Sequence, residues 1–118
     1  MFNTVRIRNK APSSENSIAK TKQEGSGEAA NVGDDLVVAY VGKIHATKVQ
    51  FDAAKSFAFT LGAGDVIKGW EKGIVGMRVG GTRTLVVPSK LGYGKKGSGP
   101  DIPPDATLHF KVTLKAIQ

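Results

Sequence analysis

Leu108 to Ile117 alternates strictly along its length. Leu108, Phe110, Val112, Leu114 and Ala116 fall on one side, and His109, Lys111, Thr113 and Lys115 on the other. Successive side chains of a strand point to opposite faces, so a period of two defines a half-buried strand with one wet face. Sheets with one wet face are typically antiparallel. The chain must therefore supply partner strands for this segment and a cover for its apolar side.

Three further segments read as partners. Leu36 to Val41 (LVVAYV) is short, β-branched and bounded by Asp34-Asp35 and Gly42, which predicts a buried strand. Phe57 to Leu61 places Phe57, Phe59 and Leu61 on one face, and Thr82 to Val87 completes the set. One helix is expected as the cover. Asp65 is its expected N-cap, and Ile67, Trp70 and Ile74 then recur at helical spacing. Gly69 and Gly73 inside it each cost about 1 kcal/mol relative to Ala, so they imply close contact with a neighbouring backbone or strand. The fold class is α+β, a twisted antiparallel sheet with one short helix packed on it.

At 118 residues the chain suits one domain and can bury a core without cross-links. It contains no cysteine, which excludes a disulfide scaffold, thiolate metal sites and cysteine nucleophiles. His45 and His109 are the only histidines, too few for a three-histidine zinc site, and are expected to be exposed and without function. No metal and no cofactor is expected. No apolar run approaches the ~20 residues of a membrane span, so no membrane partner is expected. The N-terminus lacks an apolar signal region. Residues 1–17 are expected to form a basic arm or an extra edge strand over Thr4 to Arg8, ahead of a domain at 18–118.

The net charge of +7 raises histones or nucleic acid as partners. The basic excess is spread along the chain, which weakens a reading in which one tail binds DNA. Glycine-rich stretches fit neither GxGxxG nor GxxxxGK[ST], so no nucleotide site is expected. No Ser/His/Asp set and no convincing carboxylate pair is legible. Leu91 to Ala106 forms a long loop holding three of the five prolines, a length usually reserved for function or disorder.

The informative residues are aromatic. Tyr40, Phe51, Phe57, Phe59, Trp70 and Phe110 fall on or beside expected elements, and Tyr93 lies in the long loop. The plainest reading is that aromatics fill a small core. That reading is weakest for Tyr93, whose surroundings show no core periodicity.

Val66-Ile67-Lys68-Gly69-Trp70-Glu71-Lys72-Gly73 resembles the VI(K/R)GW(E/D)xG signature of the FK506-binding proteins, which are peptidyl-prolyl cis-trans isomerases. Around it, in the family's order, stand Tyr40-Val41-Gly42, Phe51-Asp52, Phe57 to Gly62, Gly76 to Gly81, Leu91-Gly92-Tyr93-Gly94 and Ile102 to Leu108. The similarity spans residues 18 to 118. It implies a five- or six-stranded antiparallel sheet wrapped around one short α-helix, and catalysis on Xaa–Pro bonds without nucleophile, metal or base.

The resemblance also implies a pocket. Trp70 would form its floor and Tyr40, Phe51 and Phe110 its walls, with Phe59 and Val66 also contributing to the pocket. The Tyr93 hydroxyl and the Ile67 N–H would bind ligand carbonyls. Asp52 would hydrogen-bond within the pocket, and Phe57 would stand at its rim. Asp52, Trp70, Tyr93 and Phe110 are the expected catalytic residues. Ser98 and Ile102 are expected to contribute to substrate or inhibitor binding from the long loop, where Ser98 and Asp101 replace a histidine and an isoleucine of the small prototype.

The implied partners are proline-containing peptides and macrolides of the FK506 and rapamycin type, bound by a monomer. Lys95-Lys96 and Lys43 resemble the basic nuclear members, some of which carry the isomerase domain at the end of a longer chain; a cytoplasmic or nuclear location follows. Two alternatives stay open. The stretch Ala53 to Ser56 is shorter than in the prototype, which suits a proline-peptide binding module with weak catalysis. The charge suits a basic protein associated with histones or nucleic acid.

Overall fold

The computed structural model describes residues 18–118, so the arm at 1–17 and the edge strand over Thr4 to Arg8 lie outside the described residues. Five strands form one sheet: β1 (Ala19–Gln23), β2 (Asp35–Ile44), β3 (Gln50–Thr60), β4 (Thr82–Val87) and β5 (Leu108–Ile117). Their spatial order is β1-β4-β5-β2-β3, and every neighbouring pair is antiparallel. Among the described residues one short α-helix, α1 (Lys68–Gly73), lies on one face, and a 3₁₀ turn spans Ser89–Leu91.

The alternation in β5 does what its pattern requires. Leu108, Phe110, Val112 and Leu114 are buried beneath the helix side, while Lys111 and Lys115 face solvent. Leu36 and Val38 of β2, Leu85 and Val87 of β4, and Ile74 and Met77 after the helix complete this core. Burial of such side chains contributes roughly 1.5–3 kcal/mol each.

α1 sits unusually close to β4, and its glycines make that possible. A Cβ on Gly69 would stand 2.5 Å from Val87 Cγ1, and one on Gly73 would stand 2.7 Å from Leu85 Cδ2. The helix end is held by Arg83, which donates to the carbonyls of Gly73 and Val75 at 2.9 Å each. A cation at orphan C-terminal carbonyls also suits the helix dipole. Burial lowers the Arg83 pKa from its usual value, and Glu24 opposes that shift.

Four expectations need correction. β1 is not among the expected strands; it is a mostly exposed edge strand, and such strands carry little apolar signal. β2 is longer than expected and alternates, with Val37, Ala39 and Val41 on the wetter face. Asp65 does not cap the helix: the N-cap is Ile67, without a side-chain cap, and Asp65 Oδ2 instead accepts the Thr60 N–H at 3.1 Å. His45 and His109 are half-buried, with rings stacked 6.1 Å apart.

Candidate functional site

Five aromatic rings converge where α1 crosses the sheet. Trp70 is only 4% exposed, and its ring lies under four others. Tyr40 meets it edge-on at 4.9 Å between centroids and Phe110 at 5.4 Å, with Phe59 at 5.7 Å and Phe57 at 6.1 Å. Edge-to-face pairs are worth ~0.5–1.5 kcal/mol each beyond burial, so the cluster is stiff. Phe51 packs edge-on against Phe110 at 5.7 Å. Gly42 lets these two rings approach: a Cβ there would stand 2.8 Å from Phe110 and 2.9 Å from Phe51.

Above the indole lies a cavity of about 250 Å³, lined by Tyr40, Phe51, Asp52, Phe57, Asp65, Val66, Ile67, Trp70, Tyr93 and Phe110. Nine of these ten come from the expected site set, drawn from three strands, the helix and the long loop. Asp65 is the addition. Its sequence signal was spent on helix capping, although an acid two residues before Ile67 was equally placed to face a pocket.

The remaining expected residues lie off the cavity wall. Phe59 is buried behind it and stacks on Phe57 at 5.7 Å. Ile102 is 6% exposed and belongs to the core. Ser98 is exposed at the tip of the long loop and exchanges two backbone hydrogen bonds with Ile102, at 2.9 and 3.1 Å. Gly97 closes this loop with φ +69°, and a Cβ there would strike the Ile102 carbonyl at 2.2 Å.

Polar groups are few and directed. The Tyr40 hydroxyl donates to Asp52 Oδ2 at 2.6 Å, and Asp52 Oδ1 accepts the Ala53 N–H at 2.8 Å. Burial first, and then the hydrogen bond and charge of Asp52, push the Tyr40 pKa well up; the Tyr93 pKa rises through burial and the same carboxylate. Both phenols are thus neutral donors at pH 7. The loop before the helix is set by Glu71, whose two carboxylate oxygens accept the N–H groups of Gly62 and Gly64 at 2.8 and 2.9 Å. That loop carries Val66 and Ile67 to the cavity. Trp70 Nε1 is buried and has no partner among the described residues. Among the described residues no group of three His, Cys, Asp or Glu side chains could hold a metal ion.

Among the described residues, a five-stranded antiparallel sheet carrying one short helix defines the FKBP-like class of fold. Residues 26–115 match the model of the FKBP-type peptidyl-prolyl cis-trans isomerases, and the chain belongs to that family. It is similar to an FK506-binding protein of Neisseria meningitidis, 45% identical over 100 residues that make up 82% of this chain and 92% of that protein. The 39 kDa FK506-binding nuclear protein of Drosophila melanogaster is 44% identical over 96 residues, 79% of this chain and 27% of that protein. The crystal structure of AtFKBP13 superposes with a TM-score of 0.79 at 34% identity, covering 85% of this chain and 91% of that one. The chain spans about a quarter of the length of its nuclear relatives from Drosophila melanogaster and Spodoptera frugiperda.

Proposed function

We propose that residues 18–118 form a domain that catalyses cis-trans isomerisation of Xaa–Pro bonds, with the prolyl ring seated on Trp70. The observation that carries this reading is the aromatic cage over a buried indole. Its cavity of about 250 Å³ is sized for a ring and its flanking carbonyl rather than for a large cofactor.

The chemistry needs no covalent step. Rotation about a peptide C–N bond costs ~18–20 kcal/mol because twisting destroys amide resonance. The twisted amide has a less dipolar oxygen than the planar one. A dry aromatic enclosure therefore disfavours the planar ground state more than the twisted state. Xaa–Pro bonds are the natural targets, since their two isomers differ by only ≈ 0.5–1 kcal/mol. Lowering the barrier by about 7 kcal/mol gives roughly 10⁵-fold acceleration.

In this reading Tyr40, Phe51, Phe57, Val66 and Phe110 hold the ring, with Phe59 behind them. The Tyr93 hydroxyl and the Ile67 N–H donate to substrate carbonyls. Asp52, fixed by Tyr40, accepts hydrogen bonds at the rim. Ser98 and Ile102, paired with each other, belong to the same long loop as Tyr93. The same pocket takes FK506 or rapamycin. The nuclear relatives support a nuclear location.

The test is an isomerisation assay on an Xaa–Pro peptide with and without FK506. Acceleration abolished by FK506 is the expected result. Binding of FK506 without acceleration would leave a proline-peptide binding module, and uncatalysed exchange with no binding by folded protein would overturn both.

A further inference from the structure

The outer face of the sheet, opposite the aromatic cavity, segregates charge. Cross-strand partners share a face, and one such row crosses all five strands: Lys20, Thr84, Lys111, Val41 and Ala53. Four residues along β5 stands Lys115, whose ammonium reaches over β2 and donates to the Lys55 carbonyl of β3 at 3.3 Å. Together Lys55, Lys111 and Lys115 border a wide depression of about 690 Å³ with an apolar floor of Ala39, Val41, Ala53 and Ala54. Tyr40 is the one aromatic residue among those that line it.

These lysines lack counter-charges. Among the described residues the one ion pair joins Arg78 to Glu24, at 4.0 Å, away from this face. Asp52, Asp65 and Glu71 serve the cavity side. Asp35, at the end of β2, is taken by the Thr60 hydroxyl at 2.6 Å. The local field is felt by His109, on the same face opposite Lys43. Its pKa is lowered, first by burial and then by His45, Lys48, Lys43 and Lys22.

We propose that this face docks an extended acidic polypeptide segment in which carboxylates recur at every fourth residue with a small apolar side chain midway between them. Lys111 and Lys115 are about 14 Å apart along the strand, the reach of four residues of an extended peptide, so carboxylates at that interval meet both. The alanine and valine floor receives the small side chain midway, which shares their face of the strand. Nucleic acid fits less well: phosphates gain nothing from an apolar floor, and the one aromatic lining residue, Tyr40, has its ring packed edge-on against Trp70. Tyr40 lines both the depression and the cavity, but its ring packs on the cavity side, and docking on the outer face requires no step of the prolyl reading.

The experiment is fluorescence anisotropy on the full chain with a labelled peptide repeating Glu-Thr-Ala-Thr, which places Glu and Ala on one face of the extended chain, at low salt. Oligoglutamate of equal length and a short DNA duplex serve as competitors. Saturable binding that weakens with salt is expected. The triple variant K55E/K111E/K115E should weaken it roughly tenfold or more. Ala53→Glu, at an exposed position of β3, should weaken it in the same direction by placing a carboxylate on the floor. Both variants should keep the parent's thermal unfolding midpoint, and saturating FK506 should leave peptide binding unchanged. Absence of binding overturns the proposal, as does equal binding of oligoglutamate or displacement by FK506. Tighter binding of the duplex with the same dependence on Lys55, Lys111 and Lys115 also overturns it and assigns the face to nucleic acid.

Discussion

Tyr40 and Asp52, twelve residues apart on neighbouring antiparallel strands, are joined by a 2.6 Å hydrogen bond at the mouth of the aromatic cavity. The bond fixes the carboxylate beside the place where a peptide would enter, and it holds the Tyr40 ring edge-on to Trp70. One contact thus couples the polar rim to the apolar floor.

Tyrosine ionisation should be late. An exposed tyrosine titrates near 10, whereas Tyr40 and Tyr93 are both shifted upward. A group whose folded pKa is raised stabilises the fold fully below its unfolded value and loses that contribution as pH climbs through the folded one. The native protein should therefore show little tyrosinate absorbance at pH 10, where the urea-unfolded chain is about half ionised. Half-ionisation of the native protein at pH 10 would contradict both shifts. Tyr40→Phe should also weaken FK506 binding by releasing Asp52.

Trp70→Ala removes the floor of the cavity. Because the ring is 4% exposed, stability should fall by about 3–5 kcal/mol, measured by urea unfolding with circular dichroism. Tyr93→Phe is the gentler companion. It should leave stability nearly unchanged while lowering affinity for FK506, and unchanged affinity would remove the Tyr93 hydroxyl from the proposed site.

Glu71→Gln should loosen the approach to the helix. Gln retains one acceptor and turns an N–H₂ toward the Gly62 or Gly64 amide that the second carboxylate oxygen now satisfies. The cost should be about 1–2 kcal/mol, since bonds to a charged group are worth ~1.5–3 and this side chain is partly solvated. Hydrogen exchange at Gly62 and Gly64 should accelerate selectively, and ligand affinity should fall because Val66 and Ile67 follow the same loop.

Arg83→Met deletes the donors at the end of α1. Two charge-assisted bonds, to the Gly73 and Val75 carbonyls, are lost together. A destabilisation of roughly 3–5 kcal/mol is expected from thermal or chemical unfolding. Arg83→Lys should recover part of it, because an ammonium reaches one carbonyl more readily than two.

Much of the architecture was legible because it rests on local pattern. The period of two in Leu108 to Ile117 defined a half-buried strand and so an antiparallel sheet needing a cover. Gly69 and Gly73, costly within a helix, implied close backbone packing, and β4 lies against both. β1 was illegible for the opposite reason: an exposed edge strand needs no apolar alternation, and only pairing with β4 defines it. The Asp65 cap failed because Ser, Thr, Asn and Asp bond to any suitable N–H nearby, and the Thr60 amide was nearer than the helix start.

The sequence by itself determined the aromatic types, their order and the family motifs they belong to, since those are covalent facts. It also determined the +7 charge but not its placement. Tertiary structure alone decided that residues from Tyr40 to Phe110 enclose one cavity, while Ile102 joins the core and Ser98 stays at the loop tip. It alone gathered Lys20, Lys55, Lys111 and Lys115 on the outer sheet face. The reason is physical: side-chain alternation is local to a strand, whereas strand order and register bring distant chain segments into one surface.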